Sequence, residues 1–239
     1  VRAEVREGEK ECRAKRATGA DMIPLNTIQC RDCLEGMQEI PDKSIDLVIT
    51  DPPYGIGENN EQNVRRENLA KPTDYGHFEW DKQPAAQEHF DEIFRISKNQ
   101  IIFGGNYFEL PPSPCWIVWD KNNTGDFADC ELAWTSFKSA VRKFTYKWNG
   151  MLQEDMLHKE IRVHPTQKPV KLFEWIIKNY AKEGDIICDP FFGSGSCLVA
   201  CVRMGHSFIG FEKEQSYFDV AQILIKKAQE QGKIGTWFE

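Results

Sequence analysis

Two short stretches hold the residue types that could do chemistry. The first, Asp51-Pro52-Pro53-Tyr54, closes the apolar run IDLVIT, where a buried strand would ordinarily end in a flexible turn. It packs a carboxylate, two locked backbone units and an aromatic ring into four residues. Asp51 and the Pro52 carbonyl are hydrogen-bond acceptors, and Tyr54 is a flat plate. That set suits an aromatic amine lying on a ring with its NH2 pinned at the edge. A rigid turn around a buried tyrosine is the non-functional alternative.

The second stretch is DPFFGSGS, residues 189–196, between an apolar strand and an apolar helix. Glycines there allow close backbone approach to a ligand. Glu212 follows Asp189 by 23 positions, at the end of the next apolar run, where an acid can accept from both hydroxyls of a ribose. The stretch lacks the GK[ST] ending of a phosphate loop, and the next glycine after Gly193 and Gly195 is Gly205, so it is no GxGxxG either. A nucleoside-like ligand fits; a tight helix–strand contact would also explain a bare GxG.

These groups need elements to carry them. The stretch NTIQCRDCLEGMQEIPDKSIDLVIT predicts strand, short helix, strand. Residues 85–97 predict a helix, IIFG a buried strand, and LPPSPCWIVWD a proline-bounded strand. ELAWTSF and VRKFTYKW alternate as half-exposed antiparallel strands would. Leu172, Phe173, Ile176, Ile177 and Tyr180 share one helical face, with Pro169 suited to the first turn and Gly184 to the close. DIICD, the helix SCLVACVRM with its stop at Gly205, and SFIGF complete a βαβ unit. Repeated units of this kind give an α/β fold, a mostly parallel sheet with helices on both faces. In such sheets ligands sit beyond the carboxyl ends of strands, so Asp51 and Asp189 can face one crevice across 138 positions of chain.

The residues that carry this reading also resemble the S-adenosylmethionine-dependent DNA amino-methyltransferases in their permuted, β-class order. Asp51-Pro52-Pro53-Tyr54 matches that family's catalytic motif, and Phe191-Phe192-Gly193-Ser194-Gly195 its FxGxG motif. HPTQKP, 164–169, matches the segment that closes over the methionine end of the cofactor, and the likeness runs from about residue 26 to about 225. It implies a Rossmann-like methyltransferase fold with circularly permuted motif order and S-adenosyl-L-methionine as cofactor. It also implies double-stranded DNA as substrate, with a second copy of the chain and a cognate restriction nuclease as candidate partners. Glu212 would hold the ribose, and Asp32, beside Cys33, the adenine amino group of the cofactor. Asp189, Phe191, Gly193 and Gly195 would line it, and Thr166 and Lys168 would meet its carboxylate. Members acting on adenine mostly carry Asp where Asp51 stands and those acting on cytosine mostly Ser, so adenine is the expected target. Cytosine is the close rival. A glutamine or RNA-base methylase usually has Asn there. A silent DNA-binding module or a nicotinamide enzyme leaves the first motif unexplained.

The 239 residues, 41% hydrophobic and 28% charged, suit one domain over 22–239 after a polar tail at 1–21, in which Met22 is a candidate start. No run approaches the ~18 apolar residues of a membrane span and no leader is visible, so a cytoplasmic location is expected. The eight cysteines mostly lie in apolar segments and read as core; Cys30 and Cys33 lack a second pair for a metal, so none is expected. Net charge is −7, yet residues 138–171 carry eight basic groups against three acidic, leaving −12 elsewhere. Arg142, Lys143 and Lys147 are therefore candidate DNA contacts, and Arg65 and Arg66 on a long mobile loop at 55–84 join them. Residues 107–163 are the candidate target-recognition insert.

Overall fold

The computed structural model describes residues 23–56, 83–123, 128–149, 152–164 and 166–235. The tail at 1–21 and the loop residues Arg65 and Arg66 lie outside them.

β1 (Thr27–Cys30), α1 (Cys33–Gln38) and β2 (Ile45–Thr50) come first. They are followed by α2 (Gln87–Ile96), β3 (Ser97–Phe103), β4 (Trp116–Asp120), β5 (Cys130–Thr135) and β6 (Arg142–Thr145). A hairpin of β7 (Trp148–Asn149) and β8 (Leu152–Gln153) leads to α3 (Val170–Tyr180), β9 (Ile186–Asp189), α4 (Ser196–Arg203), β10 (Ser207–Glu212) and α5 (Gln215–Gly235). Eight strands form one sheet in the order β1-β10-β9-β2-β3-β5-β4-β6. Only β5 runs against its neighbours, between β3 and β4. The fold is the expected Rossmann-like α/β sheet.

β2 is buried along its whole length, which is why it reads as a continuous apolar run. Leu47 and Ile49 enter one core, shared with Leu172, Phe173 and Ile176 of α3, Cys197 and Leu198 of α4, and Ala221 of α5. Val48 enters the other, with Met37 of α1 and Phe90, Ile93 and Ile96 of α2. Full burial of each such side chain is worth about 1.5–3 kcal/mol, so both faces are firmly covered.

Two local expectations are corrected. α3 ends at Tyr180 and is capped by Ala181, whose N–H donates to the Ile177 carbonyl, while Gly184 (φ 80°) serves the following turn. Within VRKFTYKW the β6 part does not pair antiparallel: β6 lies parallel to β4, because β5 is sandwiched between β3 and β4 and the chain leaving it must pass to the outer side of β4. Alternation reports a half-buried face and says nothing about which strand lies beside it. Within 107–163, β4, β5 and β6 extend the main sheet and the β7–β8 hairpin stands outside it.

The arrangement that positions a site is the meeting of β2 and β9. They pair in parallel through Leu47–Ile187 and Val48–Cys188. From β9 the chain crosses toward β10; from β2 it crosses the other way, toward β3. That reversal opens a crevice beyond their carboxyl ends. Among the described residues no helix is long and apolar enough to cross a membrane.

Candidate active site

The two tips are tied together. The Thr50 hydroxyl, last in β2, donates to Asp189 Oδ1 at 2.9 Å. The next residue, Asp51, is held from two sides: the Tyr54 hydroxyl donates to Oδ1 at 2.5 Å, and the Lys168 ammonium donates to Oδ2. The proline segment is clamped in turn, since the Pro53 carbonyl accepts from the Ala85 N–H at 3.0 Å and Tyr54 bridges to Pro84. Pro52 is buried. Tyr54 stacks on half-exposed Tyr107, with centroids 4.9 Å apart and planes 13° apart, and meets Phe108 edge-on at 6.0 Å. One face of the expected plate is thus covered by a second ring.

Lys168, expected to meet the cofactor's carboxylate, is a buried side chain held in ion pairs. Its side chain is 4% exposed, and besides Asp51 it pairs with Glu131 Oε2 at 3.2 Å. Lys121 pairs with the other oxygen of Glu131. Burial alone would neutralise these groups, and their mutual charges oppose it. Burial pushes the Asp51 carboxyl above its ordinary range despite the ammonium beside it. For Glu131 the burial effect is outweighed by Lys168 and Lys121, which hold it low. Lys168 rises, because Asp51 and Glu131 overcome the burial that would lower it.

A cavity of about 470 Å³ opens beside this cluster, within the range of sites for cofactor-sized ligands. Asp51 and Pro53 form part of its wall, as do Asp32, Cys33, Thr166, Lys168, Asp189, Phe191, Gly193 and Glu212. Asp32 caps α1 by accepting from the Leu34 N–H at 2.8 Å and sits exposed at the edge. Glu212 accepts from the N–H groups of Gly193 (2.9 Å) and Glu214 (2.8 Å), which fixes its carboxylate. At Gly193 (φ 51°) a Cβ would meet nothing nearer than the His164 ring at 3.8 Å, so the backbone is bare on that side. Gly195 is different. It caps α4 at φ 81°, a Cβ there would lie 2.8 Å from that of Ala221, and it is absent from the cavity wall. Its Cβ position faces α5, in a close helix–helix contact.

On the β9–β10 side of the cavity the buried ionisable groups are carboxyls, while Lys213 lies exposed and Arg31 half-buried in the same wall. Burial raises Asp189 to about 7 and raises Glu212 despite its two N–H donors. His164, in the same wall, is pushed down to about 3 by burial and then by Lys168, and stays a neutral imidazole whose Nδ1 accepts from the Thr166 N–H at 3.2 Å. Two carboxyls, Asp189 and Glu212, against a bare backbone turn and the Phe191 ring fit a nucleoside that carries a cationic centre, as S-adenosylmethionine does. The donor set therefore suits the cofactor that the resemblance implies.

Other candidates fall elsewhere. Arg142 and Lys143 are exposed on β6, four strands from β2, about 19 Å at ~4.8 Å per strand, and Lys143 pairs with Asp120 at 3.1 Å. Lys147 follows β6 and is half-buried. None of the three enters the cavity wall. Conversely Glu131, Lys121 and Tyr107 join the cluster around Lys168 and Tyr54 without having been singled out. Nothing in the spacing of CELAWT distinguishes its acid from a solvent-facing one.

A family model described as DNA methylase matches residues 119–223, the part with HPTQKP and the glycine turn. The type II methyltransferase M.HinfI of Haemophilus influenzae is 30% identical over 252 residues, covering 85% of this chain and 69% of that protein. M.HpaI of Haemophilus parainfluenzae, also a type II methyltransferase, is 24% identical over 234 residues, covering 81% and 72%. Among solved structures, the M1.HpyAVI–SAM complex matches with a TM-score of 0.54 at 22% identity, over 83% of this chain and 98% of that one. The cytosine-N4-specific PvuII DNA methyltransferase gives 0.55 at 15% identity, over 87% and 92%. Those two structures carry the fold alone. An alignment over 85% of the chain must take in both the Asp51 and the Gly193 motifs, and at that identity the chain belongs to the S-adenosylmethionine-dependent DNA amino-methyltransferases.

Proposed function

We propose that this chain methylates the exocyclic N6 amine of adenine in double-stranded DNA, acting on a base flipped out of the duplex. The observation that carries the reading is the position of Asp51. Its carboxylate is gripped by Tyr54 and Lys168, yet it lies in the wall of the same cavity as Glu212 and Phe191.

Glu212 is suited to the ribose hydroxyls and Asp32 to the adenine amino group of the cofactor. Phe191, Cys33 and Asp189 line the space between, and Gly193 admits close approach. Thr166 is left to meet the methionine carboxylate, since Lys168 is engaged by Asp51. When bound, the cofactor supplies an electrophilic methyl on a cationic sulfur, so no covalent enzyme nucleophile is needed. The limiting partner is the amine, whose lone pair is delocalised into the base. Asp51 and the Pro52 carbonyl accept its hydrogens, favour a more nucleophilic nitrogen, and stabilise the positive charge that develops there. Pro52 and Pro53 keep that geometry rigid before the base arrives. A stacked base cannot present its amine in line, so it must leave the helix, and Tyr54 with Tyr107 offers an aromatic platform in exchange.

Adenine is preferred over cytosine because Asp stands at the first motif position. Target recognition falls to the part of 107–163 outside the main sheet, from the β7–β8 hairpin onward. Arg142, Lys143 and Lys147 are then phosphate contacts at the rim of a bound duplex. The type II names of both Haemophilus relatives are the ground for a cognate restriction nuclease.

The test is to incubate the chain with methyl-labelled S-adenosylmethionine and duplex DNA, digest to nucleosides, and identify the labelled product by mass. N6-methyldeoxyadenosine is expected. N4-methyldeoxycytidine would overturn the choice of base, and unlabelled DNA beside a bound cofactor would overturn catalysis. Asp51→Ala should lower turnover by about 100-fold or more, the cost of losing one preorganised hydrogen-bonding group, with cofactor affinity within a few-fold.

A further inference from the structure

The mechanism above uses Asp51 and leaves a second carboxylate unexplained. Glu131 comes from β5, the strand of the main sheet that runs against its neighbours, where it lies opposite Trp119 of β4. One of its oxygens pairs with Lys168 at 3.2 Å and the other with Lys121. The Lys168 ammonium also lies 3.5 Å from the Tyr54 hydroxyl and 4.8 Å from the centre of the Phe103 ring. Charges thus alternate along a line: Lys121, Glu131, Lys168, Asp51. Two cations and two anions come from four separate segments of the chain, and the line ends on the group proposed to meet the target amine.

A buried ammonium with a single carboxylate partner closes on it as a tight pair. That partner then has less negative charge left for a third group. With two carboxylates the ammonium is shared. We propose that Glu131 is a positioning residue for methyl transfer: by holding part of the Lys168 ammonium, it sets where the Asp51 carboxylate is fixed and leaves that carboxylate able to accept from the target amine. Glu131 touches neither substrate nor cofactor in this role and acts only through Lys168. The inference rests on the reading of Asp51 as catalytic.

Glu131→Gln keeps the shape and removes the charge. Turnover should fall by about tenfold to a hundredfold, the scale of a misplaced catalytic group, while KM for DNA and the dissociation constant for S-adenosylmethionine stay within about threefold. Glu131→Asp, which keeps the charge on a shorter stem, should lose less, and it serves if the Gln variant does not fold. The deciding measurement is a double-mutant cycle with Lys168→Met. If Glu131 acts through Lys168, adding Glu131→Gln to Lys168→Met changes turnover by less than about twofold. Losses that multiply would assign Glu131 a separate structural part and overturn the proposal. If Asp51→Ala is inactive and Glu131→Gln runs at the parent rate, the positioning role alone is overturned. If Asp51→Ala keeps its turnover, the catalytic reading falls and this one with it.

Discussion

Asp189→Asn tests the most unusual acid in the site. The parent side chain is fully enclosed at the tip of β9, and its Oδ1 accepts from the Thr50 hydroxyl at 2.9 Å and the Phe191 N–H at 3.2 Å. Burial outweighs both bonds and lifts the carboxyl from 3.8 to about 7. The folded state therefore holds this proton more tightly than the unfolded chain does. Its contribution to stability is complete below about pH 4 and is lost as pH rises through about 7. At about 1.4 kcal/mol per tenfold in proton affinity, the full swing is about 4 kcal/mol, and about 3 kcal/mol of it falls between pH 5 and pH 8. Asparagine keeps an acceptor for Thr50 and Phe191 and cannot ionise. Urea unfolding of both proteins across that range should show the variant gaining on the parent as pH rises. Asp51 and Glu212 titrate in both proteins and cancel to first order in the difference. A difference that stays flat, or shrinks toward pH 8, would refute the claim that burial dominates at this residue.

The two glycines of the turn should separate by assay. Gly195→Ala forces a side chain into a left-handed backbone and onto Ala221, and should cost about 2 kcal/mol or more in thermal or urea unfolding. Gly193→Ala meets no close neighbour, should cost about 1 kcal/mol of stability, and should instead show its larger effect in calorimetric cofactor affinity. Equal profiles for the two would undo the distinction. Tyr54→Phe removes the hydroxyl that donates to Asp51 and should slow turnover by about tenfold, as loss of one hydrogen bond to a charged group does. Tyr54→Ala should slow it further, and equal rates for the two would remove the ring from the mechanism.

Much of this site was legible before any coordinates. The continuous apolar run of β2 and the βαβ unit from β9 to β10 announce a sheet buried on both faces, and such a sheet makes Asp51 and Asp189 neighbours. Glu212 reaches the cavity wall, as an acid at a strand tip after a glycine turn is placed to do. Lys168 was placed without its partners: flanking polar residues describe local exposure, whereas its ion pairs come from 117 positions away in Asp51 and from Glu131. Gly195 matched a motif but serves α5, because a glycine pattern encodes close approach without saying what approaches. Likewise β6 alternates as an antiparallel strand would and pairs in parallel. In each case the missing information is a long-range pairing, which periodicity does not contain.

The charges divide the site in a way that bears on how substrate and cofactor share it. Asp51 is balanced by the Lys121–Glu131–Lys168 line, so the half of the crevice beyond β2 and β5 is close to neutral. The half beyond β9 and β10 has Asp189 and Glu212 without a comparable buried cation, and both are raised by burial. A positively charged ligand entering the cavity gains from the second half and little from the first. In the proposed function the cationic centre is drawn toward Asp189, across the β2–β9 seam from Asp51, and the balanced half is left to the uncharged nucleobase. The order in which the chain supplies these tips is irrelevant to that division. What matters is that β2 and β9 are adjacent and the connections leave them in opposite directions, so a permuted sequence arrives at a single working crevice.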